Sequence, residues 1–187
     1  MRFFAIAATL SLIFLAAPTF AEVDKIFGLS ETVYIEELDV VYEAKIDTGA
    51  ESASINAINI RVEKAKGDDG ENKVHFDLVL PDNSLKSITM PLTKHIRIKR
   101  RASDYSENDK DYARRPVLDL TLCIGGYSKK VEANLADRRQ FSKPMLIGHE
   151  PLILFGALVD PGQENLQDVN RCTMPAKADV GNKDSEE

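Results

Sequence analysis

The feature that most constrains the fold is a series of short apolar or alternating runs, separated by turn residues, that extends from Thr32 to Leu135. Alternation with a period of two is typical of strands, and no long amphipathic helix interrupts the series. The intervening turn-forming clusters are Gly67-Asp68-Asp69-Gly70, Pro81-Asp82-Asn83 and Gly125-Gly126. The sequence therefore predicts an all-β domain.

Eight strands follow from this pattern. They are predicted at Thr32–Leu38, Val40–Ile46, Ile55–Lys64, Val74–Leu80, Leu85–Met90, Ile96–Arg101, Val117–Ile124 and Lys129–Leu135. The two glycines Gly125-Gly126 predict a tight hairpin between the last two strands. After Gly148 we expect a brief helix through Phe155, and then a last strand from Ala157 to Asp160.

The strongest candidate for chemistry is Asp47, which follows an apolar run and opens the segment Asp47-Thr48-Gly49-Ala50. Such a segment suits a carboxylate held in a tight loop by backbone N–H and hydroxyl donors, and Gly49 leaves room for a second chain or a substrate to approach. A given tripeptide occurs by chance in roughly a few per cent of chains this long. A second landmark, Pro144–Leu152, lies about 100 residues further on and strengthens the signal.

Together these landmarks resemble the aspartic protease pattern. More closely, the chain resembles a bacterial retropepsin-like family whose members are often labelled ATP-dependent zinc proteases. The resemblance rests on Lys45–Ala50 with Ser52, Ile55 and Ala57, on Arg115-Pro116-Val117, on Ile124-Gly125-Gly126, on Leu135–Arg138 leading into Pro144–Gly148, and on Val159-Asp160-Pro161. It covers roughly residues 28–166.

The resemblance implies a retropepsin-like acid-protease barrel with one short helix near the C-terminal end of the domain. It implies that Asp47 is catalytic, that Thr48 hydrogen-bonds across a dimer, and that Gly49 and Ala50 shape the loop. The segment that packs beneath that loop would comprise Leu146, Ile147 and Gly148.

With a single candidate aspartate per chain, catalysis of this type requires a second copy of the chain. One carboxylate cannot act as base and acid in the same step, whereas two carboxylates about 3 Å apart share one proton and divide those roles. A two-fold axis brings the same residue from both subunits together. We therefore expect a homodimeric aspartic endopeptidase that hydrolyses a peptide or protein substrate with water activated by an Asp47 pair.

Two other functions stay open. A binding module on the same fold would grip a peptide or an envelope component without cutting it, because fold does not determine function. A metallohydrolase is the third candidate. The sequence departs from the usual family pattern at Asn56, where histidine is frequent, and at His149, where arginine often follows the glycine.

No cofactor is predicted. A catalytic zinc needs three protein ligands, and the only histidines are His75, His95 and His149, with no His-Glu-x-x-His helix. A phosphate-binding loop of the Gly-x-x-x-x-Gly-Lys-Ser/Thr type is absent as well, so ATP binding is not expected.

The segment Lys94–Arg115 combines a basic strand with a polar, acidic loop. Its position between the two landmarks allows it to contribute a flap that closes over substrate. The alternative is a solvated hairpin in which Ile96 and Ile98 face inward and the charged side chains face outward.

The N-terminal residues indicate export. Residues 1–21 carry one positive charge at Arg2, an apolar run from Phe3 to Ala17 and a small-residue finish at Ala21, as a cleavable signal peptide requires. The apolar run is shorter than the about 20 residues that span a bilayer, so no stable membrane anchor is expected. We predict a mature protein in the periplasm or the medium, with a protease domain at 22–174 and a disordered acidic tail at 175–187.

The net charge limits the classes of binding partner, and the cysteine count limits the possible disulfides. The net charge is −6, which argues against general binding to nucleic acid or anionic membranes. The two cysteines, Cys123 and Cys172, allow a disulfide in an oxidising compartment, while a buried free thiol at Cys123 would be equally ordinary.

Overall fold

Strands dominate the computed structural model, which describes residues 25–66, 70–100, 106 and 109–175. They are β1 (Lys25–Phe27), β2 (Ser30–Ile35), β3 (Val40–Ile46), β4 (Ala53–Glu63), β5 (Lys73–Val79), β6 (Leu85–Pro91), β7 (Lys94–Lys99), β8 (Tyr112–Ile124), β9 (Tyr127–Ala136), β10 (Met145–Ile147) and β11 (Ala157–Val159). Helix α1 (His149–Phe155) lies between β10 and β11. Within the described ranges, no helix has the length and apolarity to cross a bilayer. The predicted signal peptide and nearly all of the predicted tail lie outside those ranges.

Six strands close a barrel. The hydrogen-bonded order is β10-β3-β2-β8-β9-β4, and β4 pairs back to β10. Strands β5 and β6 continue the sheet beyond β4, β7 pairs with the first half of β8, and β1 pairs with β11 in a separate parallel sheet. The predicted all-β barrel with one short helix near its end is therefore confirmed.

The barrel interior is filled by apolar side chains that alternate along the strands. Val33, Ile55, Leu118, Leu120 and Leu135 are all fully buried and belong to one core cluster. Burying a side chain of this size contributes about 2 kcal/mol relative to leaving it in water. The core therefore gives the strand bearing Asp47 a rigid support.

The predicted strands agree in position with observed strands apart from their ends, but β1 and β10 were not predicted, because each is only three residues long. The predicted strand Thr32–Leu38 ends early, because Glu36–Leu38 form a 3-10 turn and Asp39 adopts φ 46° so that β2 can fold back onto β3. Strand β8 begins five residues earlier than the predicted Val117, because its first residues pair with β7. Arg101, predicted to end the basic strand, lies outside the described residues.

The two-glycine hairpin and the brief helix are confirmed. Gly125 and Gly126 adopt φ 59° and 86°, both in the left-handed region. This conformation forms a two-residue hairpin turn, across which Ile124 pairs with Tyr127. Helix α1 ends at Phe155 as predicted. These features depend on local sequence, which explains why the pattern located them.

Candidate active site

Asp47 comes directly after β3, at a point where β10 is inserted into the barrel. Strand β10 runs parallel to β3 and antiparallel to β4, so it separates the two strands that flank the Asp47 turn. The Asp47 N–H donates to the carbonyl of Ile147 over 3.0 Å. The backbone of the aspartate is therefore held by a strand about 100 residues away in the chain.

Gly148 allows β10 and α1 to lie directly against this turn. A Cβ at Gly148 would come within 2.6 Å of the Ala50 carbonyl oxygen and 2.7 Å of the Glu51 backbone. The His149 N–H donates to that same Ala50 oxygen over 2.8 Å. Ile147 and Gly148 are buried and Leu146 is half-buried, so the predicted supporting segment does lie against the loop.

The loop presents the carboxylate at the surface of the chain. Asp47 Oδ1 accepts a hydrogen bond from the Gly49 N–H at 3.1 Å, and the Ala50 N–H donates to the Asp47 carbonyl at 3.1 Å. The Asp47 side chain is 28% exposed, and Thr48 and Gly49 are exposed at the tip. Among the residues that the structure describes, a Cβ at Gly49 would meet only Asp47 Oδ1, at 3.4 Å, so none of them crowds this tip.

Lys45 forms an ion pair with the candidate catalytic residue. Its Nζ lies 3.1 Å from Asp47 Oδ2. Partial burial by itself would raise the pKa of Asp47, but the hydrogen bond and charge of Lys45, with the Gly49 and Ala50 N–H groups, lower that pKa below its usual value. In the single chain Asp47 is therefore a well-stabilised carboxylate.

A buried arginine lies behind the loop. Arg138 is 6% exposed; its Nη1 donates to Ser54 Oγ at 2.9 Å, and its backbone N–H donates to Asn56 Oδ1 at 2.7 Å. Burial and, to a smaller extent, the charge of Arg115 lower the pKa of Arg138 to about 10, while the charge of Asp47 opposes this shift. It remains protonated at neutral pH. Asn56, which replaces the frequent histidine, therefore positions this segment.

A second cation is linked to the loop through Asn134. Arg115 Nη1 donates to Asn134 Oδ1 at 3.1 Å, and Asn134 Nδ2 donates to Ser52 Oγ at 3.2 Å and to the Ala53 carbonyl at 2.6 Å. Arg115 also lines a cavity of about 480 Å³ whose walls include Ile60 and Leu135. The partly exposed Asp47 carboxylate is therefore paired with Lys45, and hydrogen bonds link Arg115 and Arg138 to the residues that follow the loop.

Sequence reasoning assigned no role to Lys45, Arg115, Asn134 or Arg138. Three of them stand in the segments that carried the resemblance, and Asn134 directly precedes one. A cation two residues before a candidate catalytic aspartate was a local signal for Lys45. The others had no such signal, because only the folded chain brings them near Asp47.

The two cysteines lie away from this site. Cys123 and Cys172 form a disulfide between the end of β8 and the C-terminal segment. Cys123 faces Tyr34 on β2, whereas Ser30 at the opposite end of β2 faces Lys45. The disulfide therefore ties down the end of the barrel remote from Asp47.

The zinc of the family label does not fit the described residues. Among them, no group of three or more His, Cys, Asp or Glu side chains could hold a metal ion. His75 contacts Glu63 and Thr89, and the Nδ1–H of His149 donates to the Ala50 carbonyl at 3.1 Å. We therefore assign no step to a metal.

Comparisons with known proteins give two curated relatives, a solved structure of similar fold and a matching family model. Two curated relatives, each named probable alpha-L-glutamate ligase, come from Shewanella halifaxensis and Shewanella pealeana; each is 34% identical over 121 residues, or 65% of this chain. The chain spans about a quarter of their length. The crystal structure of Lpg0085, a Legionella pneumophila protein of unknown function, superimposes with a TM-score of 0.60 and 25% identity, covering 76% of this chain and 97% of that one. The RimB-like family model, described as retropepsin-like aspartic endopeptidase RimB, matches residues 26–170, and the chain belongs to that family.

Proposed function

We propose that this chain is an aspartic endopeptidase in which two Asp47 carboxylates, one from each subunit of a homodimer, activate water. The observation that carries the proposal is the Asp47 carboxylate, which Gly49 holds at the end of β3 and which is left 28% exposed beside Thr48. An exposed catalytic loop with one aspartate per chain suits pairing at a two-fold axis. Membership of a retropepsin-like family supports the same mechanism.

In the proposed reaction the ionised Asp47 takes a proton from water while the water oxygen bonds to the scissile carbonyl carbon. The protonated Asp47 of the pair donates its proton to the carbonyl oxygen, which gives a neutral tetrahedral intermediate. The Asp47 that took the proton from water then protonates the nitrogen, the other Asp47 takes a proton from one hydroxyl of the intermediate, and the C–N bond breaks to give a carboxylic acid and an amine. The partner carboxylate raises the pKa of one Asp47, which opposes the effect of Lys45.

We propose acidic, glutamate-bearing peptides as the substrate class. The net charge of the chain is −6, yet Asp47 is ion-paired with Lys45, its charge acts on the buried Arg138, and Arg115 lies close enough to Arg138 to lower the pKa of that arginine. No carboxylate of the described residues forms an ion pair with either arginine. The relatives' name concerns glutamate, which supports the same class. The β7–β8 hairpin, which contributes Arg115, is our candidate for the flap.

The decisive experiment compares purified wild type with Asp47→Asn on fluorogenic peptides that carry glutamate or its neutral isostere glutamine around the cleavage site. We expect the wild type to cleave the glutamate peptide with a kcat/KM about tenfold higher, because each lost charge-assisted contact weakens binding by roughly this factor. Asp47→Asn should abolish cleavage with little effect on folding. Full activity in that variant would refute the catalytic assignment.

The same experiment distinguishes the proposed peptidase from the alternative function, a peptide-binding module. Saturable peptide binding without cleavage, equal in wild type and Asp47→Asn, would identify a binding module. The ion pair of Lys45 with Asp47 is the observation that favours this alternative, because it already satisfies the carboxylate within one chain.

We also propose that the protein is exported after removal of residues 1–21. The Cys123–Cys172 disulfide supports this proposal, because disulfides persist in oxidising compartments. Intact-mass measurement on the protein from the periplasm or medium should give a chain that begins at Glu22. Retention of Met1 on that material would contradict the proposal.

A further inference from the structure

The β7–β8 hairpin concentrates positive charge in a way that local stability does not explain. Arg97 and Arg114 are direct cross-strand partners in this antiparallel pair. Like charges placed directly opposite each other destabilise a sheet. His95 and Lys110 line the same cavity as these arginines, although the chain as a whole has a net charge of −6. A bound anion would offset the repulsion between these two arginines.

A cavity on the β7–β8 hairpin is lined by the kinds of side chain that bind anions. It measures about 370 Å³ and is lined by His95, Arg97, Lys110, Tyr112 and Arg114, with no acidic side chain among them. The charged groups of Arg97 and Lys110 lie 4.9 and 5.7 Å from the centre of the Tyr112 ring, so both cations contact the same aromatic side chain. We refer to these five residues as the hairpin cradle.

The cradle has no internal counter-ion within the part of the chain that the structure describes. None of its four basic residues lies within 4.0 Å of a carboxylate there, whereas the neighbouring Lys94 is paired with Glu132 at 2.5 Å. Asp109, which follows in the same hairpin, accepts hydrogen bonds from the N–H and hydroxyl of Ser106. The cradle donors are therefore available to a ligand.

We propose that the hairpin cradle binds a compact multivalent oxyanion of the phosphate or polycarboxylate class. Guanidinium groups match such oxygens with paired N–H donors, and two adjacent arginines favour a ligand with at least two negative charges. The bound anion removes the repulsion between Arg97 and Arg114. The cradle lies on the hairpin that we propose as the flap, but it contains none of the residues that contact Asp47, so anion binding goes beyond the proposed peptidase and does not require its activity.

The test is calorimetric titration of the full mature chain with inorganic phosphate, sulfate and citrate, with acetate at equal ionic strength as the monovalent control. We expect saturable binding of the multivalent anions, and comparison of phosphate with citrate separates the two ligand sources. Arg97→Gln/Arg114→Gln should weaken binding about tenfold or more, since each charge-assisted contact contributes strongly. The control Lys129→Gln/Lys130→Gln removes the same two charges from exposed positions on β9 and should bind as wild type does. Asp47→Asn should also bind normally.

Thermal unfolding at low salt gives a second, independent readout. Without added anion, Arg97→Gln/Arg114→Gln should unfold at a higher temperature than the wild type, because the variant loses the cross-strand repulsion. Phosphate should raise the unfolding temperature of the wild type and of the control but not of the arginine variant. Equal binding by the arginine and control variants, binding of acetate as tight as phosphate, or no saturable binding by the wild type would overturn the proposal.

Discussion

At the scale of single residues, the chemistry of Asp47 depends on its neighbour Lys45. The ammonium group 3.1 Å away and the backbone N–H groups of the loop outweigh the effect of partial burial, so the pKa of Asp47 is lowered. A pair of such carboxylates must hold one proton to catalyse hydrolysis. Lys45 therefore sets the pH range in which the proposed pair is singly protonated.

Lys45→Met should move the pH–activity profile to higher pH. The substitution keeps an apolar stem but removes the charge that lowers the pKa of Asp47, so both limits of the bell-shaped profile rise together because they belong to the coupled pair. The measurement is kcat/KM against pH, with Lys129→Met as a control that removes an equal charge elsewhere. A profile that stays in place or moves to lower pH would contradict the role of Lys45.

The lowered pKa of Asp47 also affects the pH dependence of folding stability. The pKa of Asp47 is lower in the folded chain than in the unfolded chain, so its ionisation stabilises the fold above the unfolded pKa. That contribution is lost as the pH falls through the folded pKa. Lys45→Met should therefore reduce the acid sensitivity of folding that arises at this residue.

At the scale of elements, the insertion of β10 between β3 and β4 positions the loop. The hydrogen bond from the Asp47 N–H to Ile147 and that from the His149 N–H to Ala50 hold the two sides of the turn. Gly148 is the point of closest backbone approach. The position of the Asp47 carboxylate therefore depends on a backbone contact at Gly148, a residue that has no side chain.

Gly148→Ala should destabilise the domain and reduce activity more than the loss of stability alone explains. The new Cβ would lie 2.6 Å from the Ala50 oxygen, and the backbone must shift to relieve the contact. Overpacking of this kind costs about 2 kcal/mol. Urea unfolding and kcat/KM measure the two effects.

Gly162→Ala is the matched control, because its Cβ would meet only the Asp160 carboxylate oxygen at 3.3 Å. It should leave both unfolding and activity close to those of the wild type. Equal behaviour of the two alanine variants would show that the Gly148 contact does not position the loop.

At the scale of the whole molecule, the C-terminal segment closes the fold. The buried Glu31 carboxylate accepts hydrogen bonds from the N–H groups of Gly28, Leu166 and Gln167, which joins both ends of the described chain to β2. The disulfide, with a sequence separation of 49 residues, holds the same segment further on. The disulfide lies at the end of β2 remote from the Asp47 loop, whereas Glu31 lies next to Ser30, which faces Lys45.

Activity should fall on dilution in parallel with dissociation of the dimer. Each chain supplies one Asp47, so the proposed site exists only when two chains associate. Sedimentation and activity should be followed over one concentration series, and wild type should then be mixed with excess Asp47→Asn. The inactive subunits should suppress activity as subunits exchange. A strictly monomeric chain with full specific activity would contradict the two-subunit site.

Sequence by itself determined the features that depend on neighbouring residues. Alternation located the strands other than β1 and β10, two glycines located the β8–β9 hairpin, and the run after Gly148 located α1. The resemblance identified the family, and the Asp47 loop followed from its position at the end of an apolar run. In each case a local backbone preference or a short motif carries the information.

Tertiary structure alone decided the surroundings of that loop. The insertion of β10, the burial of Arg138, the link from Asn134 to Ser52 and the opposition of Arg97 and Arg114 all join residues distant in the chain. Strand register determines such contacts, and a shift of one residue would turn each side chain to the other face of the sheet. The charges that surround Asp47 and line the hairpin cradle were therefore readable only from the closed barrel.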